Sequence, residues 1–282
     1  MLRFFQTGLL LLSVFFCACQ ASPEIASNPN GDPKTDIAAL PLPDAAKMVR
    51  RMITQDGCKD FVAEMLMTSE FADGKSSQVE VRLQRKYTAN GVSTFLTVLS
   101  PKEDSDKAIL AIEDSEKPTE AFSYLAGLKK LAKLNSSRPL GFRGAKVTVQ
   151  ELLGMELGHY SHDAGERVSE GGESLIKIIF QAKPDLNLVF PRIVGYFLEK
   201  GEAPARFELF GDNGELAKKL VIEEVKQIQN RQTITQATIE DLSQKLKLKM
   251  ETRKVEYDKG LSDKIFTEDH LKNFITEASN KR

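Results

Sequence analysis

The sequence predicts a mainly β protein of the α+β type. Its core would be a curved antiparallel sheet or half-barrel of about eleven strands, with an N-terminal helix and short, lid-like helices. Apolar and polar residues alternate with a period of two over most of the chain after residue 60. The pairs Asp73-Gly74 and Asn90-Gly91 separate such stretches and favour tight hairpins. A long meander that curls around its own apolar face needs few helices to cover it.

Composition indicates a folded protein and excludes a disordered chain, a nucleic-acid binder and a disulfide-rich scaffold. The chain has 282 residues and 41% apolar composition, which supports a hydrophobic core and excludes wholesale disorder. Lys and Arg number 39 against 40 Asp and Glu, so the net charge is -1. Because a nucleic-acid binder shows a basic excess, we expect no nucleic-acid partner. The cysteines are Cys17, Cys19 and Cys58, which cannot form a disulfide framework.

The N-terminus carries the strongest local signal. Residues 8–16 form an apolar run after Arg3, of the length of a secretory signal and shorter than a membrane span. Residues 1–18 are therefore interpreted as a signal peptide. Ala18 directly precedes Cys19, as in the bacterial lipobox, which predicts lipid attachment at Cys19 and a membrane anchor. The alternative is cleavage near Ala21 and release into the periplasm.

Residues 19–43 are interpreted as a lipid-anchored flexible tether. They hold five of the eleven prolines and show no hydrophobic period. A flexible chain of this length reaches roughly 25–30 Å. The residue after Cys19 is Gln20 and not the Asp that retains some lipoproteins at the inner membrane. The expected location is the bacterial cell envelope, with the outer membrane favoured weakly over the inner.

The folded domain is expected over residues 44–282. Asp44 is a suitable N-cap, and Met48, Val49 and Met52 follow at helical spacing until Gly57. Further helices are predicted over 146–153 and 267–275. The predicted strands cover 61–71, 79–87, 92–99, 109–112, 122–134, 175–183, 193–198, 205–210, 216–225, 231–239 and 245–257.

Several segments in this order resemble a known family. They are FLTVLSP followed by KAILAI, then YLAGLKKLAKL, then residues 142–152 and finally IFTEDHL. The arrangement resembles the outer-membrane lipoprotein-sorting protein family of the LolA-like lipoprotein-carrier superfamily, over most of residues 44–275. The resemblance implies a curved β half-barrel, closed by helices, that shields lipoprotein acyl chains.

Two classes of function remain open. The first is binding of lipid or lipoprotein acyl chains in the cell envelope. The second is a lipid-tethered interaction module or an accessory subunit of an envelope transporter. No G-x-S-x-G, P-loop or G-x-G-x-x-G motif occurs in the sequence, so we expect no enzyme activity, and no cofactor or metal is predicted.

Candidate ligand-binding residues are the apolar side chains on alternating strand positions. Water-exposed acyl chains cost ~0.8 kcal/mol per CH₂, and flexible Met side chains adapt to variable chains. Each candidate could instead be part of a filled core. The candidates are Phe61, Met65, Met67, Val79, Val81, Leu83, Phe95, Leu246, Leu248 and Met250.

Three polar features favour structural roles. His159 and His162 with Asp163 and Glu166 are interpreted as a solvated turn, because no recognisable motif supplies a further metal ligand. A basic set could meet a phosphate headgroup or an acidic partner, although a solvent-exposed face is the simpler interpretation. It consists of Lys129, Lys130, Lys133, Arg138, Arg143 and Lys146. Cys58 is expected to be a small buried filler.

Overall fold

The computed structural model describes residues 42–89, 91–125, 128–135, 140–142, 145–149, 157–186 and 188–280. All of them belong to one unit, from Pro41 to Arg282. The predicted signal peptide, the lipid attachment at Cys19 and the tether up to residue 41 lie outside the described residues. None of the helices within the described part is long and apolar enough to cross a membrane.

Two α-helices flank sixteen strands among the described residues. The helices are α1 (Ala45–Ile53) and α2 (Glu268–Asn280). The strands are β1 (Asp60–Glu70), β2 (Ser76–Tyr87), β3 (Gly91–Ser100), β4 (Ala108–Asp114), β5 (Lys117–Leu125), β6 (Lys130–Leu134), β7 (Leu140–Phe142), β8 (Ala145–Val147), β9 (Tyr160–His162), β10 (Glu166–Glu170), β11 (Glu173–Ala182), β12 (Arg192–Leu198), β13 (Pro204–Phe210), β14 (Leu216–Ile228), β15 (Arg231–Asp241) and β16 (Leu246–Tyr257).

Fourteen strands form one curved, open antiparallel sheet. Its order is β10-β11-β12-β13-β14-β15-β16-β1-β2-β3-β4-β5-β6, and β9 pairs with β11. Strands β7 and β8 form a separate pair. Along this order, the junction of β16 with β1 is the one that joins strands distant in sequence. The predicted class, a mainly β protein with a curved antiparallel sheet and an N-terminal helix, is confirmed.

The β1–β16 junction lies in the middle of the sheet. The two strands pair from Phe61 with Tyr257 to Glu70 with Lys247. Beyond the strand ends, the buried carboxylate of Asp60 accepts hydrogen bonds from the backbone N–H groups of Lys259 at 2.6 Å and Leu261 at 3.0 Å. The junction is therefore stabilised by the backbone hydrogen bonds between β1 and β16. It is also stabilised by the Asp60 side chain, which accepts hydrogen bonds from backbone N–H groups beyond the end of β16.

Helix α1 covers one face of the sheet, which we call the inner face. On β1 this face carries Phe61, Ala63, Met65 and Met67. The Asp44 carboxylate caps α1 by accepting from Lys47 N–H at 3.1 Å, as predicted from the sequence. The buried side chains of α1 pack in one cluster with inner-face residues of the second half of the chain. They are Ala45, Met48 and Val49, and their partners include Ile176, Phe180, Phe197 and Phe207.

Helix α2 covers the opposite face, which we call the outer face. Leu271 and Ile275 are buried against Phe95, Leu110 and Tyr124 of β3, β4 and β5. The Phe274 ring meets Phe95 edge-on at 5.7 Å between centroids. The helix predicted over 267–275 is therefore present, and it packs on the outer face of the sheet's first half.

Two element predictions need correction. The strand predicted over 122–134 is two strands, β5 and β6, joined by a turn in which Lys129 adopts a φ of 48°. A left-handed conformation is unusual for Lys, so the residue type at position 129 does not indicate a turn. The nearest signal in the sequence is Gly127, which the strand prediction passed over. In place of the helix predicted from 146, Ala145–Val147 forms a strand. The higher strand count comes from this split and from the short strands β7 to β10.

Candidate functional site

A cavity of about 450 Å³ lies on the inner face of the sheet. Its walls come from the last turn of α1, from β1 to β3 and the end of β4, from β13 to β16, and from the segment that precedes β9. The apolar lining consists of Met52, Ile53, Phe61, Ala63, Met65, Leu83, Val92, Leu157, Phe207, Leu209, Leu220, Ile222, Ile234, Ala237, Ile239, Met250 and Val255. Pockets of this size and character bind small apolar ligands.

A cluster of charged and polar groups lies at one part of the cavity wall. Arg85 Nη2 lies 2.8 Å from Glu113 Oε1, and the side chains are only 14% and 9% exposed. Thr94 Oγ1 donates to the same carboxylate oxygen at 3.4 Å. His159 Nε2 donates to the Asp114 carbonyl oxygen at 2.7 Å. The ion pair is thus held in a largely desolvated setting.

Neutral hydroxyls form a second polar part of the wall. The Thr233 and Tyr257 hydroxyls are 2.8 Å apart, and Gln55 Nε2 lies 3.4 Å from Tyr257 OH. Thr252 Oγ1 donates to the Ile234 carbonyl at 3.1 Å. Burial raises the pKa of Tyr257, so its hydroxyl is protonated at neutral pH.

Hydrogen bonds between distant segments hold one side of the cavity in place. Lys183 Nζ donates to the Ser115 carbonyl at 2.9 Å and to Glu116 Oε1 at 3.1 Å. Together with the bond from His159 to Asp114, these contacts join the turn between β4 and β5 to the segment around β9 and the end of β11. The two parts of the chain therefore enclose the cavity jointly.

Four of the predicted ligand-binding residues line this cavity. They are Phe61, Met65, Leu83 and Met250. Each lies on the inner face of β1, β2 or β16. The structure therefore brings these four together, and their contact with a ligand stays a proposal.

Five other candidates lie elsewhere on the inner face. They are Met67, Val79, Val81, Leu246 and Leu248, which pack against one another in a buried cluster. The cavity occupies only one end of these long strands. At the other end of these strands the side chains pack against one another and fill the space between them, as the filled-core alternative predicts.

Phe95 lies on the outer face, so its assignment to the concave face was wrong. Its ring packs under α2, 4.9 Å from the His270 ring and 5.7 Å from Phe274. On β3, Leu96 is the residue that pairs with the inner-face Leu83. Because Phe95 and Leu96 are both buried, the alternation in β3 does not indicate which face is inner.

Sequence reasoning missed the polar part of the site. Arg85 follows Val79, Val81 and Leu83 at every second position, so it occupies the inner face of β2. A charged residue in phase with a buried apolar set is a usable signal, because such a charge needs a partner. Its partner Glu113 lies 28 residues further along the chain, and that pairing follows only from the register of β2, β3 and β4.

His159 is buried in the cavity wall, so its assignment to a solvated turn was wrong. Asp163 and Glu166 have structural roles. Asp163 Oδ1 accepts from the backbone N–H groups of Gly165 at 3.0 Å and Ile179 at 3.1 Å. Lys177 Nζ lies 2.6 Å from Glu166 Oε1. Within the described part of the chain, no group of three or more His, Cys, Asp and Glu side chains is arranged to hold a metal ion.

Cys58 and the basic set do not contribute to the cavity wall that the structure describes. Cys58 is buried, and burial raises the pKa of its thiol to about 12. Lys129 and Lys130 are exposed, and Lys133 pairs with Glu120. Arg138 and Arg143 lie outside the described residues.

Comparison with known proteins identifies the family and the fold of this chain. A family model described as "Uncharacterized protein" matches residues 90–273. The chain belongs to that family and has a LolA-like fold. The comparison with curated proteins found no match.

Three solved structures share this LolA-like fold. An outer membrane lipoprotein-sorting protein domain from Vibrio parahaemolyticus is 18% identical, with a TM-score of 0.71 over 80% of this chain and 97% of that one. A DUF1329 family protein from Desulfovibrio piger is 17% identical, with a TM-score of 0.72 over 80% and 96%. A LolA superfamily protein from Nitrosomonas europaea is 16% identical, with a TM-score of 0.68 over 81% and 100%.

Proposed function

We propose that the protein binds a lipid or lipoprotein acyl chain in the bacterial cell envelope, as a carrier or receptor. The observation that carries this proposal is the cavity of about 450 Å³, whose wall is mostly apolar, on the inner face of a LolA-like sheet. Each methylene group moved from water into such a site contributes ~0.8 kcal/mol. The similarity to the lipoprotein-sorting domain supports the same ligand class.

The cavity chemistry suits binding better than catalysis. Thr233 and Thr252 are hydrogen-bonded to neighbouring protein groups, and Tyr257 keeps its proton at neutral pH. Arg85 and Glu113 are engaged in an ion pair. An activated nucleophile needs an adjacent general base or a lowered pKa. We therefore propose a non-enzymatic function for this site.

The ligand-binding experiment uses a cavity-filling variant and a matched control. Ala237 is buried and lines the cavity, so Ala237→Phe places a ring in the ligand volume. Ala72 is exposed in the turn after β1, and Ala72→Phe makes the same replacement away from the cavity. The uncharged probe N-phenyl-1-naphthylamine reports binding by its fluorescence.

We expect the wild type and Ala72→Phe to bind the probe equally. Ala237→Phe should bind about tenfold or more weakly, with an unchanged circular dichroism spectrum. A folded wild type that does not bind the probe would contradict acyl-chain binding. It would favour the interaction module, whose partner could then be found by crosslinking in the envelope.

We further propose that the domain over residues 44–282 is attached to a membrane, with preference for the outer one, through an acylated Cys19 and the tether 19–43. Metabolic labelling with a palmitate analogue tests this. The wild type and Cys17→Ala should be labelled and Cys19→Ala should not. Undiminished labelling of Cys19→Ala would contradict acylation at Cys19. An unlabelled wild type would contradict the anchor and support a freely moving carrier.

A further inference from the structure

We infer, on the basis of the proposed acyl-chain site, that the cavity selects ligands whose polar end is uncharged, such as acyl esters and amides. Glu113 is the residue that determines this specificity, because it neutralises the cation that an ionised headgroup would need.

Charged side chains are few among the described lining residues of the cavity. Among the lining residues that the structure describes, Arg85 is the only Lys or Arg, and Glu113 and Asp114 are the two acidic residues. The Arg85 guanidinium lies 2.8 Å from Glu113 Oε1, and both side chains are mostly buried. At this distance the two charges form a pair with no net charge, so a bound ligand faces a dipole and not an uncompensated cation.

The neighbouring groups add no uncompensated positive charge. Asp114 accepts from the Glu116 backbone N–H at 2.9 Å, a bond that lowers the pKa of its carboxyl. Lys117 Nζ lies 3.4 Å from Asp114 Oδ2, and Lys183 Nζ lies 3.1 Å from Glu116 Oε1. His159 directs its Nε2–H at the Asp114 carbonyl. Arg85, Lys117, Lys183 and His159 Nε2–H thus each have a protein acceptor.

An ionised headgroup and a neutral one differ sharply in such a site. A carboxylate or phosphate would lose its hydration and gain no free cation, which is a large penalty. An ester or amide needs only hydrogen bonds. The protonated hydroxyls of Thr233 and Tyr257 and the amide of Gln55 lie in the same wall and can supply them.

The experiment compares two ligands that share one acyl chain. Laurate is ionised at neutral pH, and 1-monolauroylglycerol is not. Each displaces N-phenyl-1-naphthylamine from the wild type and from Glu113→Gln, which frees the Arg85 cation. The matched control is Glu64→Gln, because Glu64 of β1 pairs with Arg82 of β2 at 2.7 Å on the outer face.

The wild type and Glu64→Gln should bind the monoglyceride about tenfold or more tightly than laurate. In Glu113→Gln the laurate affinity should rise about tenfold relative to the monoglyceride. Equal affinities in the wild type, or an unchanged ratio in Glu113→Gln, would overturn the inference. A folded wild type that binds neither ligand nor the probe would overturn the proposed function and the inference with it.

A double variant covers the case in which Glu113→Gln fails to fold, since it leaves a buried cation without its partner. Arg85→Gln/Glu113→Gln removes both charges. If the pair is neutral towards the ligand, the ratio of the two affinities stays as in the wild type. A selective loss of laurate binding would show that Arg85 contacts the carboxylate and would overturn the inference.

Discussion

Gly195 on β12 lies where three phenylalanine rings converge. A Cβ atom there would lie 2.8 Å from Phe207, 3.0 Å from Phe197 and 3.1 Å from Phe180, measured to the nearest ring carbon of each. All three rings are fully buried, so they have little freedom to move. The position therefore tolerates no side chain.

We expect Gly195→Ala to lower the free energy of unfolding by about 1–3 kcal/mol. The midpoint of urea unfolding should fall while the slope stays unchanged. Gly158→Ala is the matched control, because a Cβ at Gly158 would meet no atom within 4 Å. An unchanged midpoint for Gly195→Ala would show that the three rings yield without cost.

Met65 and Met67 share a face of β1 but differ in surroundings. Met67 is buried in the packed cluster with Val79 and Leu248, and Met65 lines the cavity. Met67→Ala should therefore cost about 2–5 kcal/mol of stability, and Met65→Ala less, because the space beside it is already open. Probe titration should show the converse, with reduced binding only for Met65→Ala. Equal stability losses would contradict this division.

The same pair shows what the sequence can and cannot predict at this scale. The alternation predicted that Phe61, Met65, Met67 and Leu83 lie on one face, and they do. It could not predict where that face is filled and where it is open. That distinction depends on α1 and on Leu157, which come from distant parts of the chain.

The turn between β15 and β16 is held by a buried carboxylate. Asp241 accepts from Lys218 Nζ at 2.8 Å, from Ser243 Oγ at 2.7 Å and from Gln244 N–H at 2.9 Å. Burial raises the pKa of Asp241, but these hydrogen bonds outweigh it and lower the pKa to about 2. The ionised carboxylate is thus stabilised by folding.

The sign of the pH dependence follows from this shift. The lowered pKa contributes roughly 2 kcal/mol of stability above pH ~4, and this contribution is lost as the pH falls towards 2. Asp241→Asn should be less stable than the wild type at neutral pH, and the gap should narrow between pH ~4 and pH ~2. Urea unfolding across this range measures it. Asp212→Asn, in an exposed turn, should keep the wild-type pH profile, and a constant gap for Asp241→Asn would contradict the prediction.

Elements differed in how well the sequence predicted them. Helix α1 was predictable because Asp44 and the helical spacing of Met48 and Val49 agree. The split of β5 from β6 was not predicted, because Lys129 adopts a left-handed conformation that its residue type does not indicate. Local patterns indicate strands, and pairing decides where they end.

Each of the two helices packs on the half of the sheet that is distant from it in sequence. Helix α1 comes from the start of the domain and packs with β11 to β14, whereas α2 comes from its end and packs on β3 to β5. Each half of the sheet is thus covered by a helix from the other half. We expect the domain to unfold as one cooperative unit.

Leu271→Ala tests this cooperativity, because Leu271 is fully buried on α2. The loss should be about 2–5 kcal/mol. Native-state hydrogen exchange should show reduced protection in β11 to β13, which α2 does not cover. Thr276→Ala on the same helix, where the side chain only bonds the Lys272 carbonyl, should leave that protection near wild type. Protection lost only in β3 to β5 would contradict a single unit.

At the scale of the whole molecule, the sequence predicted the fold class by two routes. The period of two after residue 60 indicated strands, and the order of segments resembled a LolA-like family. The local pattern could not predict that β1 pairs with β16. That contact joins residues far apart in the sequence, such as Phe61 and Tyr257.

The central β1–β16 junction bears on whether the chain must be continuous in order to fold. The stretch up to residue 149 carries α1 and β1–β8, and the stretch from residue 157 carries β9–β16 and α2. They meet at one strand pair, β1 with β16, through ten residue pairs from Phe61 with Tyr257 to Glu70 with Lys247, and each stretch is covered by the other's helix. Expressed as separate polypeptides, the two stretches should each stay unfolded and should assemble on mixing, with probe binding restored. The domain would then serve as a split reporter whose signal requires both pieces in one compartment.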